Sequence, residues 1–275
     1  MRMSRRAGIY HNGMTFDPVL NNNTWEQIRA ASDRGIASTL WSVGDRKAVT
    51  LDGTVGNFTF SSVGTYAFII GFNHNSTYEG SNRIHFQFAK TALSGGSDIC
   101  FVDGKYESSV SSTGYFSMNS SNTNSGGWDS SQMRSLLGTS LSSYSEKFIG
   151  ALPSALRSVL KSVTKYTDNT GNSSTSAANV TATTDYLFLL AEYEVFGSIS
   201  YANSNESSKQ AQYAYYSAGN SKIKYKHSDT ETAASWWLRS PRASDSTYFV
   251  RVNASGSVFY NSANTSHGVA PGFCL

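Results

Sequence analysis

Apolar residues fall at helical spacing in only a few places along the chain. Residues 22–35, "NNTWEQIRAASDRG", place Trp25, Ile28 and Ala31 on one face, with Asn23 or Thr24 able to cap, Glu26 and Gln27 in the first turn and Gly35 as the stop. "KAVTLDGTVGNFTF", "YAFIIGF" and "RIHFQFAK" then show β-branched and aromatic runs broken by Gly and Asn, the pattern of strands joined by hairpin turns. A Ser/Asn/Gly-rich tract from Glu107 to Ser125 separates them from "GGWDSSQMRSLLG". This predicts a helix capped by Asp129 or Ser130, with Met133, Leu136 and Leu137 inward and Gly138 in a left-handed turn. "LPSALRSVLKSV" predicts another, with Pro153 in its first turn and Leu156, Val159, Leu160 and Val163 on one face.

Residues 168–184 read as a polar loop, "TDYLFLLAEYEVFG" as a buried strand entering an acidic turn, and "QAQYAYYSAG" as a Tyr-rich lead into the C-terminal part. The last forty residues show "SWWLRSP" and three short strand-like pieces, at 248–252, 257–260 and 269–275, parted by Gly256 and "NTSHG". Helices and strands do not alternate and no fixed-period repeat is visible. The expected fold class is therefore α+β with mainly antiparallel strands and two or three helices packed on them, as one domain over 1–275.

Composition narrows the function classes. Of 275 residues 15% are charged and 13% aromatic, with Ser, Asn, Thr and Gly abundant, so the surface is neutral-polar and Tyr-rich. The net charge of +3 is spread out apart from Arg2, Arg5 and Arg6, with no basic stripe to follow a phosphate backbone, and no nucleic-acid partner is expected. Cys100 and Cys274 fit no metal spacing and are expected as buried free thiols. The N-terminal residues lack an apolar core of about seven residues, so no signal peptide is read there. No apolar run approaches the about eighteen residues of a spanning helix, and membrane insertion is not expected.

Candidate catalytic chemistry is sparse. His11, His74, His85, His227 and His267 are far apart and none has an i, i+4 ligand partner, so no metal site is expected. Glu192 and Glu194 would face one side of a strand as a carboxylate pair, or one of them would neutralise a framework arginine such as Arg239 or Arg134. Nucleophile-elbow and phosphate-loop patterns are absent, and the Gly-rich 94–98 lacks a strand-to-helix context. Adjacent Trp236 and Trp237 would point to opposite faces of a strand and bolt two layers together, with Arg239 buried and Pro241 ending the strand. Val269, Phe273 and Leu275 read as a final buried strand.

Between these two framework pieces, residues 242–267 follow no amphipathic order and contain no Lys, Gln, Glu, Met or Trp. At ordinary usage about three or four such residues belong in a segment of this length. Randomising the adenines of AAC or AAT codons gives this outcome: Asn, Ser, Thr, Tyr, His, Asp, Arg, Phe, Val, Ala and Gly become accessible while those five stay excluded.

With "WWLRSP", "FVRVNASG" (249–256), "NSANTSHGVAPGF" (261–273) and upstream "GGWDSSQMR" (126–134), the chain resembles the variable proteins of diversity-generating retroelements that end in a C-type-lectin-like fold. The similarity is close over the last forty residues and loose elsewhere. It implies a C-type-lectin-like domain of the formylglycine-generating-enzyme branch, with 236–275 as a framework-bounded variable region on a ligand-binding face. The positions it implicates are Arg242, Asp245, Thr247, Tyr248, Arg251, Asn253, Ser255, Ser257, Phe259, Tyr260, Ser262, Thr265, Ser266 and His267, with Val250 either contact or strand core. The implied function is a non-enzymatic adhesin or display protein, on a phage virion or a bacterial surface and either monomeric or homo-oligomeric, that meets a protein or glycan receptor on another cell. It implies no cofactor: the acidic Pro-centred calcium motif of sugar-binding lectins is missing. Two other classes stay open, a formylglycine-generating or sulfatase-modifying enzyme acting through Cys100 and Cys274, and a structural virion component whose strip packs on another subunit.

Overall fold

The structure, a computed structural model, describes residues 8–11, 13–56, 58–103 and 116–275. Arg2, Arg5, Arg6 and residues 107–115 of the polar tract lie outside the described residues. The N-terminal part gives β1 (Ile9–His11), β2 (Met14–Phe16), α1 (Trp25–Asp33), α2 (Ala37–Leu40), β3 (Arg46–Val55), β4 (Phe58–Phe72), α3 (Ser76–Glu79) and β5 (Ile84–Lys90). After the undescribed stretch come α4 (Gln132–Leu137), α5 (Ser154–Arg157), β6 (Val163–Asp168), β7 (Val180–Asp185), β8 (Leu187–Phe188), α6 (Glu192–Phe196) and α7 (Ala214–Ser217). The chain closes with β9 (Lys224–Tyr225), β10 (Ala233–Ala234), β11 (Trp236–Pro241), β12 (Tyr248–Val252), β13 (Val258–Ser262) and β14 (Gly272–Cys274).

The fold is α+β with antiparallel sheets, the largest in the order β3-β4-β5-β14-β8. Its centre is aromatic: Phe86 and Phe273 stack at 5.0 Å and Phe88 lies 5.1 Å from Phe273, all fully buried. Each such ring contributes on the order of 1.5–3 kcal/mol by leaving water. Helix α1 covers this cluster through Trp25, whose ring meets Phe86 and Phe273 edge-on. It begins as its sequence dictates. Thr24 Oγ1 accepts from the Gln27 N–H at 3.2 Å while the Thr24 N–H donates to Gln27 Oε1 at 2.8 Å, a reciprocal cap, and Gly35 follows the helix with φ +69°.

Sheet β11-β12-β13 is bolted to the rest by the paired tryptophans. Both are fully buried and reach different segments: Trp236 Nε1 donates to Lys222 O at 3.0 Å and Trp237 Nε1 to Phe116 O at 2.8 Å. Beside them Gly268 sits so close to Cys100 Sγ and Ser235 O that a Cβ would collide with both. Cys100 and Cys274 are buried and free, and burial pushes both thiols up to about 12.

Several elements depart from the sequence expectation. Instead of two or three helices there are seven among the described residues, and only α1 exceeds six residues, so helix content is spread mostly over single turns. Helix α4 is capped by Ser131, not Asp129 or Ser130; Met133 and Leu137 are buried, Leu136 only half-buried. The helix after Pro153 stops at Arg157: Lys161 N–H donates to Cys274 O at 2.9 Å, drawing the chain to the sheet, and Val163 opens β6. The polar 168–184 segment contains a strand, because its threonines are β-branched and place Thr183 and Asp185 inward against β6. Glu192 and Glu194 begin a helix rather than sharing a strand face.

Candidate functional site

A buried ionic layer surrounds Arg239 on β11, the strand that leads into the strip 242–267. Arg239 on β11 is fully enclosed, yet every one of its nitrogens has a partner. Its Nη1 and Nη2 reach Glu194 Oε2 and Oε1 at 2.5 and 2.9 Å, Nε reaches Thr167 Oγ1 at 2.7 Å and Nη1 also reaches Leu189 O at 2.8 Å. Glu194 further accepts from Lys165 Nζ at 3.0 Å. Burial alone would raise the Glu194 carboxyl, but Arg239 and Lys165 overcome it and hold the group well below its ordinary range. The framework-arginine expectation is thus met by Glu194 and Arg239, while Arg134 pairs with Asp185 and Asp129.

Next to this pair stands Glu206, which accepts from Asp168 N–H, Gln210 Nε2 and Ser240 Oγ; burial lifts its carboxyl to about 7. Glu192 gives its carboxylate to the N–H groups of Ser200, Tyr201 and Ala202 at 2.5–3.2 Å, holding the loop that carries Tyr201. A group hidden by sequence distance also forms here. Donor atoms of His74, Glu79 and His85 lie within 4.8 Å of one another. Lys165 Nζ stands 2.9 Å from Glu79 Oε2 and 3.0 Å from Glu194 Oε1, so an ammonium already supplies positive charge at that point.

The strip itself is gripped by its backbone. Asn124, fully buried, donates through Nδ2 to the carbonyls of Arg242, Asp245 and Tyr248 at 3.3, 2.7 and 2.9 Å. Its backbone N–H donates to Ser246 O, Ala243 N–H donates to Tyr201 O, Ala263 N–H to Thr247 O and Asn119 N–H to Ala263 O. Gly171 lets the neighbouring loop close on Asn124: it has φ +57° and a Cβ there would collide with the Asn124 carbonyl. None of these bonds involves a strip side chain.

The structure brings one part of the implicated residues together. Arg242 lies over Tyr260 with Cζ 3.7 Å from the ring centroid and 5.5 Å from that of Tyr248. Tyr260 is parallel to Phe259 at 4.7 Å, and Arg251 sits 5.6 Å from the Phe259 ring while bonding Ser235 Oγ. Phe259 is 42% exposed, the largest open ring of the strip. Ser262 is half-buried at the end of β13, opposite Tyr248. Asn253, Ser255 and Ser257 form the β12–β13 hairpin tip, where Asn253 Oδ1 accepts from the N–H groups of Ser255 and Ser257. Asp245 and Thr247 bond each other in the 242–247 loop.

The rest stand apart. Thr265 is half-buried in the following loop. His267 packs edge-on against Trp237 at 4.7 Å and meets Asn261 Nδ2 through Nε2; burial, then Arg251, push it down to about 3. Ser266 is a correction: at 1% exposure it does not reach the face, because the turn into β14 folds its side chain inward. Val250 is strand core, fully buried. Tyr201 and Asn124 were missed, and Glu192, expected in a carboxylate pair or on a framework arginine, instead holds the 200–202 loop. Tyr201 completes the aromatic group from outside the strip, 4.9 Å from Tyr260, and no periodicity marks it. Asn124 sits in a Ser/Asn-rich tract where composition does not separate a buried amide from a loop residue.

No helix among the described residues is long and apolar enough to cross a membrane. No curated protein and no solved structure matches the chain. A family pattern covers residues 108–275, which include β6 to β14 but not the three strands β3, β4 and β5 that complete the large sheet. On that match the chain belongs to the family described as a domain of unknown function, DUF6273.

Proposed function

We propose that this chain is a non-enzymatic ligand-binding protein of C-type-lectin-like fold, whose strip at 242–267 is diversified by a retroelement and presented to a receptor on another cell. The carrying observation is the division of labour around Asn124. Framework groups hold the strip through its carbonyls and N–H groups, contacts that survive a change of side chain, while the exposed and half-buried side chains are free to vary. A backbone fixed in advance lowers the ordering cost of binding, and Tyr, Phe and Arg supply contact area with directional bonds. A virion or a bacterial surface is the setting this reading calls for.

The test is genetic. The locus is expected to hold a reverse transcriptase and a near-identical repeat differing from 242–267 at adenines, and sibling chains are expected to vary at Arg242, Tyr248, Phe259 and Tyr260 while sparing Phe249, Val250, Val252 and Ala263, which are buried. A locus without the repeat, or variation spread evenly over buried and open positions, refutes diversification.

A further inference from the structure

Three arginines elsewhere in this protein pair with carboxylates, Arg239 with Glu194, Arg134 with Asp185 and Arg29 with Asp33, while the half-buried Arg46, Arg83 and Arg157 bond backbone carbonyls. Arg242 is different. Its guanidinium rests on Tyr260, with Tyr248 at 5.5 Å and Tyr201 at 6.0 Å, and its Nε is shielded from solvent without a hydrogen-bond partner. The acid of the same loop, Asp245, turns Oδ1 to the N–H and hydroxyl of Thr247. Arg251, across Phe259, bonds a serine hydroxyl and a carbonyl. The face therefore carries two guanidiniums against one carboxylate, Asp245, which acts on Arg242 through its charge while its Oδ1 is bonded to Thr247.

We propose that Arg242, with Tyr201, Tyr248, Phe259 and Tyr260 as walls, is the acceptor for a carboxylate side chain on a partner protein. The proposal rests on the ligand-binding reading of the strip and names the chemistry of its partner. Nε is closed to a ligand as it is to water, so a carboxylate meets the two terminal Nη groups, which are not shielded. Stacking on Tyr260 pre-orients the planar fork, and a fork held in place suits bidentate contact with a carboxylate. A sugar held by stacking needs an open aromatic face. Here the Tyr260 ring carries Arg242, and the open Phe259 ring parallel to it has Arg251 at 5.6 Å, so each ring is flanked by a cation, which favours an acidic residue beside an apolar or aromatic one. Tyr201 belongs to the loop held by Glu192, so one wall of the notch comes from the framework and stays when the strip changes.

The experiment follows the Arg242 Nε–Hε signal of the intact, 15N-labelled protein by NMR, assigned by its loss in Arg242→Lys, during titration with acetyl-Tyr-Glu-amide and with its neutral counterpart acetyl-Tyr-Gln-amide. The Glu peptide is expected to shift this signal saturably, at least about fivefold more tightly than the Gln peptide, with the advantage shrinking as salt rises. Arg242→Gln is expected to abolish the difference and Arg242→Lys to keep less than half of it, with the indole signals of Trp236 and Trp237 unmoved as the control for folding. Equal response to both peptides, or no response at Arg242, overturns the carboxylate proposal. Neither result touches the ligand-binding reading, which falls only with the genetic test above.

Discussion

The ionic layer around Arg239 and the strip that follows β11 use polar chemistry in opposite ways. In the layer, Arg239, Glu194, Lys165 and Glu206 bond one another side chain to side chain or accept from buried groups, so each identity matters. In the strip, the bonds that tie it to the framework run largely to its backbone, so identity matters less there, although Asn253 and Asp245 still shape the hairpin tip and the 242–247 loop through their side chains. A surface can change its side chains without losing its form only if its form does not depend on them.

The sharpest break of this contrast is Arg239→Ala. It leaves Glu194 and Lys165 buried with one cation fewer and removes the bond to Thr167. A loss of about 3–5 kcal/mol is expected in urea unfolding, the range for stripping one partner from a buried ion pair. A loss under about 1 kcal/mol would mean that side-chain identity in the layer matters no more than in the strip.

Glu206 gives the next effect, in pH. Its carboxyl is raised from 4.5 to about 7 by burial, so the folded protein keeps a proton that the unfolded chain releases. The stability this gives is full below about pH 4.5 and is lost as pH rises to about 7, a change of about 3 kcal/mol. His267, pushed down from 6.5 to about 3, acts the other way: its contribution is present above 6.5 and is lost as pH falls. The two overlap between pH 4.5 and 6.5, so Glu206 is read as a difference. The stability of Glu206→Gln relative to the unsubstituted protein is expected to rise from pH 4.5 to 7, measured by urea unfolding at each pH; parallel curves would sink the assignment.

Asn124→Ala removes the one amide NH2, with its two N–H donors, that the carbonyls of Arg242, Asp245 and Tyr248 share. A cost of about 1–3 kcal/mol is expected, the penalty for leaving buried acceptors unpaired. The same variant should speed amide hydrogen exchange at the Arg242 and Ala263 N–H groups, which bond Tyr248 O and Thr247 O, more than at α1. Equal acceleration in both places would make Asn124 a general support and not a clamp of the strip.

What the sequence disclosed follows the same divide. Trp25, Ile28 and Ala31 with the Thr24 cap, and the aromatic runs of β4 and β5, are local signals, and they produced the expected elements. The framework at Trp236–Pro241 and the burial of Arg239 were also legible, since paired tryptophans and a lone arginine in an apolar strand have few other places to go. The threonine strand β7 and the single-turn α5 were not, because polarity hid the β-branching of Thr and helical spacing continued past the point where Lys161 joins the sheet. Tyr201 and Asn124 depend on tertiary contacts 41 and 118 residues along the chain from Arg242, distances that no periodicity encodes.

The smallest expected effect is the most specific to the contrast. Ser257 is exposed at the hairpin tip, where its N–H, not its hydroxyl, meets Asn253 Oδ1. Ser257→Tyr keeps that bond and places the ring in solvent, so stability should change by no more than about 0.5 kcal/mol. Ser266→Tyr makes the same chemical change in the same strip at a buried site whose hydroxyl has no partner, and overpacking there should cost about 1–3 kcal/mol or more. Thermal unfolding of the two proteins side by side decides the matter. Similar losses would show that tolerance does not follow exposure; a near-silent Ser257→Tyr beside a destabilised Ser266→Tyr places the free positions at the surface and returns Ser266 to the core.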